Sequence, residues 1–438
     1  MFKRILAVLL CLSVMFCLCG CDFFTVDTAE LLSTPMLSGD LKPISDVLNN
    51  TAESGYVLKY PSRGNYRSAV VREDIDGDGL LEAFAFYSTT DGETVNMNIN
   101  VIAMRNGEWT SVATQKIVAG SIDRVEFSDL DSDGQKEILV GWEIYGTSEM
   151  QLAVYDLDEM NLNQKLLQKY THFKTCDLNS DDNDEILIIK TATAENNNTA
   201  LLFNMLDESI EQIAACELDS NSKTFNEPVI STLSNGKPAV YIDEIKGAGA
   251  VTEVLFLEKD LLVNPLYSPE TKETAVTLRS VSFSTTDINN DDILEIPTQD
   301  PVPSVIQSES NEKLYLTNWC SFNGENLTVQ RTTMINVNDS YSFTIPSRWL
   351  GKIAILKDTT SRVREIYRYN KEEETVGESL IIIKAMKKPQ WEEEKASSNS
   401  GEEILMTDDT VFVAKISDEA RAEGVTIDTV KSNFSIFE

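Results

Sequence analysis

Apolar residues in this chain come mostly in short blocks or in strict alternation, and acidic turns separate the blocks. Val70 and Val71 lead into one such turn and Ala83-Phe84-Ala85-Phe86 lead out of it. Val125 and Phe127 precede a second turn and Ile138-Leu139-Val140 follow it, while Ile186-Leu187-Ile188-Ile189 follow a third. Blocks of this length, rich in β-branched and aromatic residues and bounded by turn formers, predict strands. Two more runs, 95–104 and 109–118, flank Asn106-Gly107, a dipeptide suited to a two-residue hairpin turn. Each unit therefore predicts a four-stranded antiparallel sheet. Helical spacing is confined to the ends. Pro43 suits a first helical position, Ile44, Val47, Leu48 and Thr51 share a face, and Gly55 suits the stop; near the C-terminus Thr426 suits a cap for Ile427, Val430 and Phe434.

The turns repeat. Asp74-Ile75-Asp76-Gly77-Asp78-Gly79-Leu80-Leu81-Glu82 recurs as Asp129-Leu130-Asp131-Ser132-Asp133-Gly134-Gln135-Lys136-Glu137, as Asp177-Leu178-Asn179-Ser180-Asp181-Asp182-Asn183-Asp184-Glu185 and as Asp287-Ile288-Asn289-Asn290-Asp291-Asp292-Ile293-Leu294-Glu295. The starts lie 55, 48 and 110 residues apart, and 110 is two steps of 55. A missing copy belongs near 232, where Leu233 keeps the apolar second position, strand-like residues follow, and the acidic ligands are gone. A fifth match, Asp219, Asn221 and Glu227, puts Lys223 at the third ligand position and lacks apolar flanks, so it is a decoy. Self-similarity at about 50 residues predicts stacked units. Radial repetition of four-stranded sheets is a β-propeller.

Acids at positions 1, 3, 5 and 9 of a tight loop suit calcium, a hard cation that takes six to eight oxygens. An EF-hand needs its last acid at position 12 and helices on both sides, whereas these loops sit between strands. Position 6 must turn sharply and carries Gly79, Gly134, Asp182 and Asp292. The copies resemble the FG-GAP or VCBS repeat of integrin-type calcium-loop propellers and bacterial surface proteins, over about 66–336. The resemblance implies one structural calcium per loop, up to four in all. Side chains at positions 1, 3, 5 and 9 and the carbonyl at 7 would hold it, the carbonyls being those of Leu80, Gln135, Asn183 and Ile293. Asn179 and Asn289 each remove one charge, so loops one and two are expected to bind more tightly.

At the N-terminus Lys3 and Arg4 precede an apolar run, 5–18, which as a helix would span only about 21 Å of a core about 30 Å thick. It reads as a signal peptide, 1–20. Leu18-Cys19-Gly20-Cys21 resembles the bacterial lipobox, which implies Cys21 as a lipidated first residue and an anchor on the outer face of a bacterial membrane. The remaining thiols, Cys176, Cys216 and Cys320, fit neither a disulfide framework nor a metal motif and read as core residues.

The formal charge is −34. Nucleic acid is thereby excluded as a partner, because phosphate binding needs basic surface. A single histidine, His172, excludes multi-histidine zinc chemistry. The whole reads as a lipidated tether over 21–42, a short helix and lead-in over 43–65, a mainly β propeller of about five four-stranded blades over 66–337, and an α+β domain of about 100 residues over 338–438. Within that last domain the acidic, Ser-rich stretch 388–403 around Trp391 reads as a loop. The expected function is a surface binding, adhesion or envelope-interaction module for a glycan, peptide or envelope protein, more a binder than an enzyme. The competing reading is an extracellular carbohydrate-active enzyme, a glycosidase or lyase. A candidate ligand pocket combines acid with aromatic surface just beyond strands: Trp142, Glu143, Tyr145, Asp243 and Glu244.

Overall fold

A computed structural model describes residues 41–437 except 93, 148, 159, 194–195, 207, 281–282, 305–312 and 398–399. The signal run, Cys21 and the tether up to residue 40 lie outside the described residues. The chain is mainly β, built from several antiparallel sheets. It divides into two compact units, one formed by residues up to 127 with 137–148 and 153–164, the other by 128–136, 149–152 and 165–438.

In the first unit helix α1, Lys42–Thr51, opens on Pro43, where the missing N–H costs nothing. It buries Ile44 and Leu48 against Leu58, Val70, Ala85 and Tyr87 of a sheet whose long strands are Glu82–Asp91, Thr94–Arg105 and Glu108–Ile117. Asn106 and Gly107 both adopt positive φ, 52° and 86°, as the predicted two-residue hairpin requires. A second core gathers Phe84, Phe86, Ile99 and Val101 with Ile138, Val140, Trp142 and Tyr155.

Four further sheets follow. Strands Ser121–Ser128, Glu137–Glu143, Met150–Asp158 and Asn161–Tyr170 form one; His172–Cys176, Glu185–Lys190, Thr199–Leu206 and Ser209–Glu217 form the next. Pro238–Lys246 and Gly249–Glu258 centre a third, and Ile296–Val302, Leu314–Phe322 and Leu327–Asn336 centre a fourth. Every repeat turn precedes a strand of its own sheet; the apolar second position is buried in four of them, Ile75, Leu130, Leu178 and Leu233, and half-buried in the turn at Ile288. The copy near 232 keeps that plug and the strand and replaces the acids with a plain turn in which Gly236 N–H donates to Leu233 O (2.8 Å).

The expected boundary at 337/338 falls inside a sheet. Tyr341–Thr344 continues it beyond Leu327–Asn336, and the C-terminal strand Phe434–Ile436 pairs with Tyr341–Thr344. One apolar core holds Val302, Leu316 and Met334 together with Ile353, Ile366, Ile381, Phe412 and Phe434. The remaining sheet comprises Ile353–Asp358, Val363–Asn370, Thr375–Lys387, Glu402–Met406 and Thr410–Ile416. The stretch 388–403, expected as a loop, contains helix α2, Lys388–Glu394, and the start of a strand. Trp391 supplies the reason, because it is buried against Met386, Val411 and Val413 and pins the helix to the sheet. Helix α3 spans Asp418–Ala422, and helix α4, Ile427–Ser432, is capped by Thr426 as its sequence predicts; Phe434 opens the last strand instead of extending the helix.

Candidate functional site

The four acidic turns share one geometry. In each, the N–H at position 6 donates to the position-1 carboxylate: Gly79 to Asp74 (3.0 Å), Gly134 to Asp129 (3.1 Å), Asp182 to Asp177 (3.1 Å) and Asp292 to Asp287 (2.9 Å). The N–H at position 7 donates to position 5, as Leu80 does to Asp78 and Gln135 to Asp133, both at 2.7 Å. Asn183 and Ile293 do the same to Asp181 and Asp291 at 2.9 Å. Positive φ occurs at position 6 and also at position 4, where Gly77, Ser132, Ser180 and Asn290 lie between 56° and 69°. The position-4 requirement went unread in the sequence, since only the first copy has glycine there. Glu82, Glu137, Glu185 and Glu295 are buried, and Glu82, Glu185 and Glu295 accept the position-2 N–H of their loops, from Ile75, Leu178 and Ile288.

The donor set fits a hard cation. In three loops a carboxylate oxygen at a ligand position is buried without a hydrogen-bond donor, Asp74 Oδ1, Asp129 Oδ1 and Glu295 Oε1; in the third loop the buried unpartnered oxygen is the side-chain Oδ1 of Asn183 at position 7. Asp74, Asp76 and Asp78 bring carboxylate oxygens within 4.8 Å of one another, as do Asp129, Asp131 and Glu137. In the other two loops the amide takes up part of the charge: Asn179 donates to Asp181 (2.9 Å) and Glu185 (2.6 Å), and Asn289 donates to Asp291 (2.9 Å). Burial pushes Glu185 up to about 7 and raises Glu82 and Glu295, the cost of crowding acids that a bound cation would offset. The decoy is not a loop of this kind. Asp219 is buried and accepts from Lys246 Nζ (2.8 Å) and Thr274 N–H (2.7 Å), while Glu227 faces Lys174 and His172.

The candidate pocket residues are placed otherwise than expected. Trp142 and Glu143 lie within a strand of the first unit; Trp142 is core, Glu143 accepts from Ser121 Oγ (2.5 Å), and Tyr145 is exposed. Asp243 and Glu244 lie in the second unit, within Pro238–Lys246, and both are buried. Asp243 accepts from Arg279 (2.9 Å) and from Thr252 and Thr285, while Glu244 abuts Glu253. The strand runs four residues beyond the hydrophobic block that ends at Ile242, so these acids lie within the sheet and not in a loop after it. Asp243 belongs to a buried polar network with Arg279, Thr252 and Thr285.

Burial and the adjacent Glu253 hold Glu244 well above the usual carboxylate range. A carboxyl whose folded pKa exceeds its unfolded value stabilises less as pH rises above the unfolded value, by up to about 1.4 kcal/mol per pH unit. Glu244→Gln is therefore expected to raise the melting temperature at pH 8 and to leave it nearly unchanged at pH 4. Equal effects at both pH values, in paired thermal melts, would refute the assignment. The three thiols are free and inert, with burial pushing each of them up.

The second unit contains a cleft of about 640 Å³ that no sequence motif announced. Asp300 and Asn318 come from neighbouring strands, and Tyr369, Lys371 and Glu374 from the hairpin after residue 363. Asn318 Nδ2 donates to Asp300 (2.8 Å), and Glu374 sits at φ 53° in the turn. The walls meet because Ile355 N–H donates to Pro303 O (2.9 Å), which joins two sheets whose residues lie some fifty positions apart.

No family model matches the chain, and no curated protein matches it. Among solved structures it is similar to a rhamnogalacturonan lyase of Bacillus licheniformis (TM-score 0.32, 11% identity, 74% of this chain and 76% of that one). It is also similar to an exo-β-1,3-galactanase of Phanerochaete chrysosporium (0.26, 7%, 76% and 79%) and to the periplasmic gluconolactonase of Pseudomonas aeruginosa (0.29, 10%, 73% and 86%). Likeness this loose transfers no residue role and no substrate. These neighbours are a lyase, a galactanase and a lactonase, and against them the expectation of a binding or adhesion module, more a binder than an enzyme, is corrected to its stated alternative.

Proposed function

We propose that this chain is an extracellular carbohydrate-active enzyme that cleaves glycosidic bonds in the 640 Å³ cleft of its second unit. The observation that carries the reading is the pair of exposed carboxylates, Asp300 and Glu374, brought from different strand pairs to a cleft that also holds Tyr369. Cleft volume supports it, since ligand sites usually run from about 300 to 1,000 Å³. Asp300 is oriented by the Asn318 amide and takes the role of base or nucleophile. Glu374 takes the role of general acid. Tyr369 and Lys371 in the same cleft support a second reading, in which one of them removes a proton and the bond breaks by elimination.

The rest of the frame belongs to the same proposal. The recurrence of one turn per sheet supports a β-propeller of about five blades of FG-GAP/VCBS type, followed by α+β structure. The orphaned carboxylate oxygens of three loops and the shared turn geometry of all four support up to four structural calcium ions. The lipobox resemblance at Cys21 supports a lipid anchor on the outer face of the membrane.

Purified protein with calcium should release reducing ends, or an unsaturated sugar absorbing in the ultraviolet, from at least one member of a polysaccharide panel. Asp300→Asn and Glu374→Gln should each lower kcat by about 10²–10⁴-fold with an unchanged melting temperature, because both side chains are exposed. Full activity in both variants, or an inert wild type across the panel, overturns the proposal.

A further inference from the structure

The second and third acidic turns touch each other. Ser132 Oγ, at position 4 of the second, donates to the carbonyl of Asp182 at position 6 of the third (3.0 Å). Ser128 Oγ, one residue before the second turn, donates to Asp184 Oδ2 at position 8 of the third (2.5 Å). Residues 128–136 and 177–185 belong to the same compact unit. The bonded residues lie 50 and 56 positions apart, so neither turn's own sequence records the contact. Between the third turn and the fourth stands the plain turn near 232, which carries no acids.

Both bonds join the residues that set the ligand positions. The peptide between Asp182 and Asn183 is held from two sides: its C=O accepts from Ser132, and its N–H donates to the position-5 carboxylate Asp181 (2.9 Å). Asp184 immediately precedes the position-9 carboxylate Glu185. On the other side Ser128 precedes Asp129, and Ser132 stands between Asp131 and Asp133. Ser132 and Asp182 have φ of 56° and 69°, left-handed geometry that a residue with a side chain keeps only under constraint. A cation that orders one loop therefore removes part of the ordering cost of the other, and the two binding events favour each other. Repulsion between two bound cations acts in the opposite sense, but water and salt screen it across exposed turns.

We infer that the second and third turns form one cooperative calcium-binding unit, in which occupation of either raises the affinity of the other. The inference rests on the calcium reading above and adds a coupling that four separate loops would lack. Ser128 and Ser132 are the positioning residues that carry it. Charge alone ranks the second loop above the third, because Asn179 stands where the second has Asp131. Coupling makes the two fill together.

Hydrogen exchange of the full chain, read by mass spectrometry across a calcium titration, follows each turn through its own peptide. The turns at 129–137 and 177–185 should gain protection at one shared midpoint, along a curve steeper than that of a single site. The turn at 287–295, which also carries Asn at position 3, should fill at higher calcium. Asp181→Ala removes a ligand from the third loop only, and should move the second loop's midpoint to about 5–10-fold higher calcium. Coupling is reciprocal, so Asp133→Ala should move the third loop's midpoint by a similar factor. Ser132→Gly combined with Ser128→Ala should separate the two midpoints and leave the turn at 287–295 unmoved. Glycine adopts the left-handed position more readily than serine, so a purely local effect of Ser132→Gly would tighten the second loop, opposite in sign to lost coupling. Should the double variant not fold, Ser132→Gly alone, on an exposed side chain, should still shift the third loop's midpoint to higher calcium, although no residue of that loop has changed. A second-loop midpoint indifferent to Asp181→Ala, or midpoints unmoved in a folded serine variant, overturns the inference and leaves the calcium reading standing. No calcium-dependent protection at any of the four turns overturns both.

Discussion

Chelation of calcium is expected to lower the melting temperature by on the order of 10 °C, with full recovery in millimolar calcium. A ligand that binds only the folded state stabilises it by about 2.7 kcal/mol at a concentration one hundred times its Kd. Two such sites give about 5 kcal/mol, and in a domain of this size class each kcal/mol moves the midpoint by about 2–4 °C. The first two loops should carry most of the effect, because they bring three carboxylates into one 4.8 Å cluster while Asn179 and Asn289 already donate to their neighbours. Asp131→Ala should therefore remove more of the calcium-dependent gain than Asn289→Ala. The measurement is differential scanning calorimetry with and without chelator, paired with calcium titration. A melting temperature indifferent to chelator, together with no heat of calcium binding, would reduce the loops to acidic turns.

Arg279→Ala is expected to destabilise the second unit by about 3–5 kcal/mol, since it strands a charge in the interior. The Arg279 side chain is fully buried. It donates to Asp243 (2.9 Å), Thr252 Oγ1 (3.0 Å) and the carbonyls of Thr277 and Phe283. Its segment lies flush on the hairpin at Gly249, where an added Cβ would meet Arg279 O at 2.2 Å. Removing both partners, as Arg279→Met with Asp243→Leu, should cost much less than removing one, because no unpaired charge remains. Urea unfolding of the single and double variants decides it. A double variant as unstable as Arg279→Ala would mean that packing, and not the buried charge, sets the cost.

The sequence by itself determined the repeating elements. Local rules are enough for a turn that must place carboxylates on one point, bury an apolar plug and run into a strand, and Ile75, Leu130, Leu178 and Leu233 could be read from their spacing alone. The cap at Thr426 and the helix opening at Pro43 were legible for the same reason, as each depends on neighbours within one turn. Tertiary structure alone decided what faces what. Asp243 and Glu244 are surface acids by composition and core residues in fact, because their partners Arg279 and Glu253 lie 36 and 9 positions away and no local pattern records the pairing. Trp391 turned an acidic stretch into a packed helix by finding Val411 and Val413 across a sheet. Asp300 and Glu374 share a cleft only because Pro303 and Ile355 join two sheets. Loop chemistry is written within nine consecutive residues, whereas a cleft is assembled from side chains whose common position depends on the register of strands far apart in the chain.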